Sequence, residues 1–390
     1  MRISFVTSVS YPHFDSGGVV HTFNVARHLV RFGHEVTILC TKTSLYSNKL
    51  ALAEPDSEEV DGVKILRTKK PYKYGATVTS LPSLFEQHSQ LKQLIKTNKI
   101  DIVNTDTYRS CLPVVTAAKN KVPCIATIHA ILLRGKVFGL DGWRDFQSGK
   151  LSAMTGCLAE NIMVRLPYDG LMVTSDWLGE KLSKYQPNKP IKAIYAGVDL
   201  DEIDSVTSGS KNFHQIVFLG SLIKHKNILD AIEAAKLARK EIKDLKLVII
   251  SSGGEYEGLV ESMCKQDNLF EYYKSPDRKQ IYKILKESSL LIHPSENETF
   301  GLAEAEAITC GTPFIAYDVP AMREVLQRFK GGELVKYKDC GALSQKICEL
   351  LSDGDKVNRL ARLGREAIEN QFTWEKTARR AEEFFKTFLN

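Results

Sequence analysis

Two carboxylates, Glu298 and Glu306, stand eight positions apart in the stretch PSENETFGLAEAEAITCGTP, residues Pro294 to Pro313. The apolar run Leu290–His293 precedes it and reads as a strand. Pro294–Phe300 therefore lies at a strand's carboxyl end, where open α/β sheets bind ligands. A helix starting near Gly301 would leave the amides of Phe300, Gly301 and Leu302 among its unsatisfied first-turn donors. Those donors and the helix dipole suit an anion such as a phosphate. Gly301 has no Cβ, so a ligand can come close to the backbone. Carboxylates beside a phosphate make sense when they accept hydrogen bonds from hydroxyls, since such charge-assisted bonds are roughly twice as strong as neutral ones. A ligand that meets both demands is a nucleotide diphosphate sugar, with the ribose diol on Glu306 and the transferred sugar on Glu298. At about 100° per residue, Glu304 and Glu306 lie some 200° apart around a helix, so one faces the ligand and the other water. Either glutamate alone reads more simply as a helix-start charge or a solvated residue; the whole string carries the signal.

Other residues could join this chemistry. Gly220-Ser221-Leu222-Ile223-Lys224-His225-Lys226-Asn227 follows another apolar strand, and a lysine placed there meets phosphate as a point charge. Gly17-Gly18 sits at the first strand-to-helix turn, where backbone amides could reach a diphosphate, although any tight turn would use the same pair. A dinucleotide fingerprint, G-x-G-x-x-G, is absent there. Asp199-Leu200-Asp201 could hold a divalent cation on a diphosphate, but lysine and helix amides already supply the neutralising groups, so no metal is expected. Asp176 and Asp199 read as cap and hinge residues. Lys64, Arg67, Lys69, Lys70 and Lys73, interleaved with Tyr72 and Tyr74, form a basic stretch that could touch an anionic membrane or be a solvated loop.

Alternating short apolar runs and amphipathic segments must position these groups, the βαβα pattern of open parallel sheets. Ile3–Val9 reads as a strand, Ser16-Gly17-Gly18 as its turn, and Val19, Val20, Phe23, Ala26, Leu29 and Val30 recur at helical spacing up to Gly33. Strands are expected at Glu35–Leu39, Ile100–Asn104, Pro123–Ile128, Gly170–Thr174 and Ile191–Ala196. Asp201–Phe213 is polar and reads as a linker. The pattern then restarts with strands at Ile216–Gly220, Leu245–Ser251, Leu269–Tyr273, Leu290–His293 and Pro313–Tyr317, and a helix over Asn227–Lys240. The last fifty residues or so read as helical, broken at Asp353-Gly354-Asp355, with Thr373 capping a final amphipathic helix.

Bulk properties agree with two such units. A chain of 390 residues is long for one domain. It lacks any run of about 18 apolar residues, so no membrane-spanning helix is expected, and its N-terminus reads as a strand rather than a secretory signal. The eight cysteines (40, 111, 124, 157, 264, 310, 340 and 348) show no zinc spacing and read as reduced core residues of a cytoplasmic protein. The net charge of +6 is uneven: 25 Lys and Arg against 17 Asp and Glu up to residue 200, then 28 against 30. A basic half can face anionic lipid or a phosphorylated substrate; no nucleic-acid module accompanies it.

The sequence strongly resembles the retaining glycosyltransferases of family 4. Glu298 through Glu306-Ala307 is similar to their E-x7-E signature, and Gly311-Thr312-Pro313 to its sequel. GGVVHTFNVARHLVRFGHEVTIL, TIHA, LMVTSDWL, IYAGVDL and FTWEKTARRAEEFF resemble further landmarks in the family's order, over most of the chain. The resemblance implies the GT-B fold: two Rossmann-like, doubly wound α/β domains facing across a cleft, with a C-terminal helix crossing back to the N-domain. It implies an acceptor domain over 1–205, a nucleotide-sugar domain over 206–372, and the crossing helix over 373–390. The implied reaction moves a sugar from a UDP- or GDP-sugar to an acceptor hydroxyl, on a sugar or a lipid-linked acceptor, with retention and without metal or other cofactor. His129, Lys226 and Glu298 are its implied catalytic residues; Gly17, Gly18, Ser221, Lys226, Glu298, Phe300, Gly301, Leu302 and Glu306 its donor-binding ones. His129 would contact the donor sugar, and backbone around Lys274-Ser275 the base. Ser221 departs from the family, which has an arginine there; Lys224 or Arg323 could replace it. The rival readings are an epimerase of the same fold and a non-catalytic sugar-nucleotide-binding protein. The expected place is the cytoplasm, or peripherally the inner face of a membrane.

Overall fold

The structure is a computed structural model that describes residues 1–9, 11–12, 17–43, 54–72, 81–97, 99–106, 108–129, 136–137, 140–141, 160–296 and 298–389. The chain divides into two compact units: Met1–Tyr195 with Trp374–Asn390, and Ala196–Thr373.

In the first unit β1 (Arg2–Val6) leads into α1 (Gly17–Arg31), then β2 (Glu35–Thr43), β3 (Ser57–Val60), β4 (Val63–Tyr72), α2 (Leu81–Lys96), β5 (Ile102–Thr105), α3 (Tyr108–Ala118) and β6 (Cys124–Ile128). A short hairpin, β7 (Lys136–Val137) and β8 (Leu140–Asp141), stands apart; β9 (Gly170–Val173), α4 (Asp176–Ser183) and β10 (Ile191–Ala193) follow. Eight of these strands form one sheet in the order β10-β9-β6-β5-β1-β2-β4-β3. All its pairings are parallel except β3 with β4. Strands β5, β6 and β9 are buried along their whole length. Parallel strands covered on both faces read as continuous apolar runs, which is why the sequence shows them plainly. Alternate residues serve two cores. Ile3, Phe5, Ile38, Ile102 and Ile125 meet Phe23, Leu29 and, from the terminal helix Trp374–Lys386, Ala378, Ala381, Phe384 and Phe385. Val6, Leu39, Val103 and Ala126 meet Leu91, Val114 and Leu178 on the other face.

Strand β4 carries most of the basic stretch read at residues 64–74. Arg67 is not a surface cation: it is 2% exposed, paired with Glu58 and with Glu54 at 3.5 Å. The amides of Lys69 and Lys70 donate to the Glu86 carboxylate at 2.8 and 3.1 Å. Strand β4 lies between β2 and the edge strand β3, and its Lys64, Lys69 and Lys70 stay exposed. Lys73 and Tyr74 lie outside the described residues. Among the described residues no helix is long and apolar enough to cross a membrane.

The second unit repeats the plan. After α5 (Leu200–Asp204) come β11 (Gln215–Leu219), a 3-10 turn (Lys224–Lys226), α6 (Ile228–Ala238), β12 (Lys246–Ser251), α7 (Glu257–Gln266), β13 (Phe270–Lys274), α8 (Arg278–Glu287) and β14 (Leu290–His293). They are followed by α9 (Leu302–Thr309), β15 (Phe314–Tyr317), α10 (Pro320–Phe329), β16 (Gly332–Val335), α11 (Cys340–Leu351) and α12 (Gly354–Gln371); the terminal helix is α13. The sheet is wholly parallel, in the order β13-β12-β11-β14-β15-β16. Strand order reverses between β11 and β14, so the segments leaving those two strands open a crevice at their carboxyl ends.

Residues 196–205, read with the first domain, belong to the second unit. Val198 bridges Thr373, and the Lys286 ammonium donates to the carbonyls of Ile203 and Val206 at 2.7 Å each. Part of the expected linker is therefore helix α5. Asp199 caps it, its carboxylate accepting the Glu202 amide at 3.0 Å. Ser175, not Asp176, caps α4.

Candidate active site

The segments after β11 and β14 are bound to each other. The Asn227 side-chain amide donates to the Pro294 carbonyl at 2.8 Å, and the Glu296 amide to the His225 carbonyl at 2.9 Å. Asn227 adopts a left-handed backbone, φ 52°, which ends the 3-10 turn and starts α6. This turn carries Lys226 to Glu298: the ammonium donates to the carboxylate Oε1, and both side chains are largely buried. Burial alone would push the Glu298 carboxyl up; the Lys226 ammonium, with His293, outweighs it and holds the group below the usual carboxylate range.

Helix α9 starts at Leu302, one residue later than the sequence suggests. Gly301 is its N-cap, with φ 81°, and no side chain caps the helix. A Cβ on Gly301 would lie 3.0 Å from Glu304 Oε2 and 3.1 Å from Val325 Cγ1. Both the backbone and the packing therefore require glycine. Phe300 is 6% exposed and anchors the loop edge-on to Phe329 with centroids 5.3 Å apart, with Phe372 at 6.0 Å. First-turn amides without an intrahelical acceptor or side-chain cap suit an anion.

The expected split of Glu304 and Glu306 between ligand and water does not hold. Both are buried, at 0% and 7% exposure. Glu304 hydrogen-bonds Nδ1 of His293. Glu306 accepts from Arg278 Nη2 at 2.7 Å, and Arg278 also donates to the Tyr282 hydroxyl and lies 3.5 Å from Glu202. Burial opposes the Arg278 charge, but Glu306, Tyr282 and Glu202 raise its pKa above the usual value. Helix geometry puts the two glutamates on different sides; it does not say that either side is wet.

Of the remaining residues read as donor contacts, Ser221 leads from β11 into the tie of Leu222 N to Gly253 O, 3.0 Å. Arg323, offered as a substitute for the absent arginine, is held at the surface by Asp318. Lys274 pairs with Glu257 at 2.7 Å, whereas Ser275 has φ 47° and its amide meets Ser251 O at 2.8 Å.

The first unit gathers its own group at strand ends. Gly18 packs on His129, where an added Cβ would come within 3.3 Å of ring Cδ2. That contact explains this glycine without a ligand, whereas a Cβ on Gly17 would meet nothing within 4 Å among the described residues. The His129 imidazole is driven down to about 4 by burial and is neutral at pH 7. It meets His21 edge-on, ring centroids 4.8 Å apart. Both His21 ring nitrogens are buried with no hydrogen-bond partner among the described residues. Asp106, at the end of β5, accepts from Thr22 Oγ1 at 2.5 Å and is pushed up to about 7 by burial.

Sequence reasoning missed His293 and Asp106 at strand ends, and Arg278 and His21 on helices. A titratable residue closing a buried apolar strand, as in LLIH or IVNTD, was the available signal.

Comparison with known proteins places these features in a family. The family model described as Glycosyltransferase Family 4 matches residues 16–202, and the one described as Glycosyl transferases group 1 matches residues 201–367. A glycogen synthase of Mycobacterium tuberculosis is 23% identical over 397 residues, covering 97% of this chain and 92% of that protein. Among solved structures, a sucrose-phosphate synthase from Thermosynechococcus elongatus superposes with a TM-score of 0.79 at 17% identity, covering 99% of both chains. The Anabaena HepE protein, solved in complex with UDP, superposes with a TM-score of 0.71 at 13% identity, covering 99% of this chain and 100% of that one. At these identities the structures show the fold, which is GT-B. The chain belongs to glycosyltransferase family 4.

Proposed function

We propose that this glycosyltransferase takes its sugar from a nucleotide diphosphate sugar and passes it to an acceptor hydroxyl with retention of anomeric configuration, without a metal ion on the diphosphate. The observation that carries the reading is the Lys226–Glu298 pair beside the uncapped N-terminus of α9. On donor binding, Lys226 turns from Glu298 to the diphosphate, and the α9 amides take its other oxygens. Stabilising charge that develops on a leaving group is commonly the largest catalytic contribution, and these two elements supply it. Glu298, released, accepts from hydroxyls of the transferred sugar. Glu306, fixed by Arg278, accepts from the ribose diol. The departing diphosphate takes the acceptor proton on the face it leaves, which gives retention without an enzyme nucleophile. Asp199 of the D-x-D string is committed to capping α5, in keeping with a diphosphate neutralised by lysine and amides. His129, neutral at pH 7, is suited to meet a sugar hydroxyl and not a phosphate.

UDP-sugars are the first donors to try, since the Anabaena neighbour was solved with UDP. A thermal-shift screen of UDP, GDP and ADP sugars identifies the donor, and proton NMR of the product reports the anomer in the presence of EDTA. An inverted product, or activity abolished by EDTA, would sink the corresponding part of the reading.

A further inference from the structure

Behind the Lys226–Glu298 pair lies a second, fully enclosed layer. His293 closes β14 with its side chain 1% exposed, between two glutamates. Its Nδ1 hydrogen-bonds Oε1 of Glu304. Its Nε2 faces Glu298 Oε1 at 3.6 Å, inside ion-pair range but too long for a hydrogen bond. Nε2 has no hydrogen-bond partner among the described residues. A neutral imidazole has one N–H. Were it on Nδ1, a bare lone pair on Nε2 would confront the Glu298 carboxylate in a dry pocket, where unpaired polar groups cost most. The arrangement that avoids this puts a proton on Nε2. The proton between Nδ1 and Glu304 Oε1 is then shared by that pair, as imidazolium with carboxylate or imidazole with carboxylic acid.

We propose that His293, held by Glu304, is a positioning residue for Glu298, keeping that carboxylate aimed and ionised once Lys226 has left it for the diphosphate. A small turn of the carboxylate closes the 3.6 Å gap as the ammonium withdraws. Among the described residues the charged and titratable groups around the imidazole are Glu298 from the loop, Glu304 from α9 and, through Glu298, Lys226 from the 3-10 turn. The inference rests on Glu298 being the donor-sugar contact.

The test compares wild type with His293→Gln, which keeps one N–H donor but no charge, His293→Phe, and Glu304→Gln. Nitrogen-15 spectra of labelled histidine, assigned by the resonance lost in His293→Gln, should show a proton on Nε2 at pH 7. Loss of one hydrogen bond to a charged group corresponds to a fall in kcat of about tenfold or more. That fall is expected in His293→Phe, with a smaller one in His293→Gln and the donor KM changed less than about threefold. In His293→Phe the Glu298 carboxylate loses the N–H it faces, its pKa rises, and the acid limb of the kcat profile moves to higher pH, less so in His293→Gln. Glu304→Gln should loosen the Nε2 proton in the spectra and move the limb the same way. A bare Nε2 at pH 7 in an active enzyme, or a His293→Phe that melts like wild type and keeps its pH profile, overturns the proposal. Should His293→Phe not fold, the polar variants decide the same question. A wild type inactive with every nucleotide sugar overturns the donor reading instead, and the role of His293 with it.

Discussion

Lys226 and Glu298 sit 72 positions apart in sequence, yet the structure joins them in one ion pair. Each residue was legible, the first from its place after β11 and the second from its motif. Their mutual contact was not, because only the parallel neighbours β11 and β14 bring the two loops together. Arg278 was invisible for a related reason. A lone arginine opening a helix looks like a solvated charge, and only the tertiary contact at 2.7 Å shows it holding Glu306. That contact makes a prediction. A bidentate-capable guanidinium fixing a buried carboxylate is worth on the order of 2–4 kcal/mol when one partner is removed. Glu306→Gln and Arg278→Gln should therefore both raise the donor KM, by about tenfold or more, while kcat changes less. Steady-state kinetics that show kcat alone falling would contradict the assignment of Glu306 to the ribose.

At the scale of elements, the reading caught the strands that carry an apolar or aromatic run, including the half-exposed β13, and missed β3, β4 and the short β16. Strand β14 falls at Leu290–His293 as expected, and the others begin or end within a few residues. The pair β3–β4 was missed because Glu58 and Glu59 on one strand and Lys64, Arg67, Lys69 and Lys70 on the other interrupt any continuous apolar run. The helix α9 was read correctly, but the role of its glycine was only half seen. The sequence suggests ligand access; the structure adds a left-handed backbone and two contacts at 3.0–3.1 Å. Gly301→Ala should cost about 1–3 kcal/mol of stability in the second unit and weaken donor binding more than it slows turnover. Denaturant unfolding beside donor titration checks this; a variant as stable as wild type with unchanged donor affinity would show that the turn is not strained.

At the scale of the whole molecule, a charge count does not say where the charge sits. The basic excess of the first half leaves open an anionic partner or ordinary surface lysines, while Arg67 spends its charge inside on Glu58 and Glu54. The histidines of the first unit have a clearer global consequence. Burial lowers His129 from 6.5 to about 4 and lowers His21 as well. A group whose folded pKa is depressed contributes stability above its unfolded value, and that contribution is lost as pH falls through the folded value. Over about pH 6.5 to pH 4 the slope of melting temperature against pH should therefore carry an acid-destabilising part from these histidines, on the order of 1–3 kcal/mol for His129 alone, opposed by Asp106, whose raised carboxyl takes up a proton in the folded state over the same range. His129→Asn should flatten part of that slope; an unchanged slope would mean the imidazole is not buried neutral.

The claim on which the functional account depends is that Lys226 exchanges Glu298 for the donor's diphosphate. Isothermal titration of the chain with the nucleotide sugar found in the screen, against wild type and Lys226→Ala, tests it most directly. Loss of a charge-assisted phosphate contact predicts affinity weakened about tenfold or more in the variant, with turnover falling further still. Equal affinity and near-normal turnover in Lys226→Ala would contradict the account.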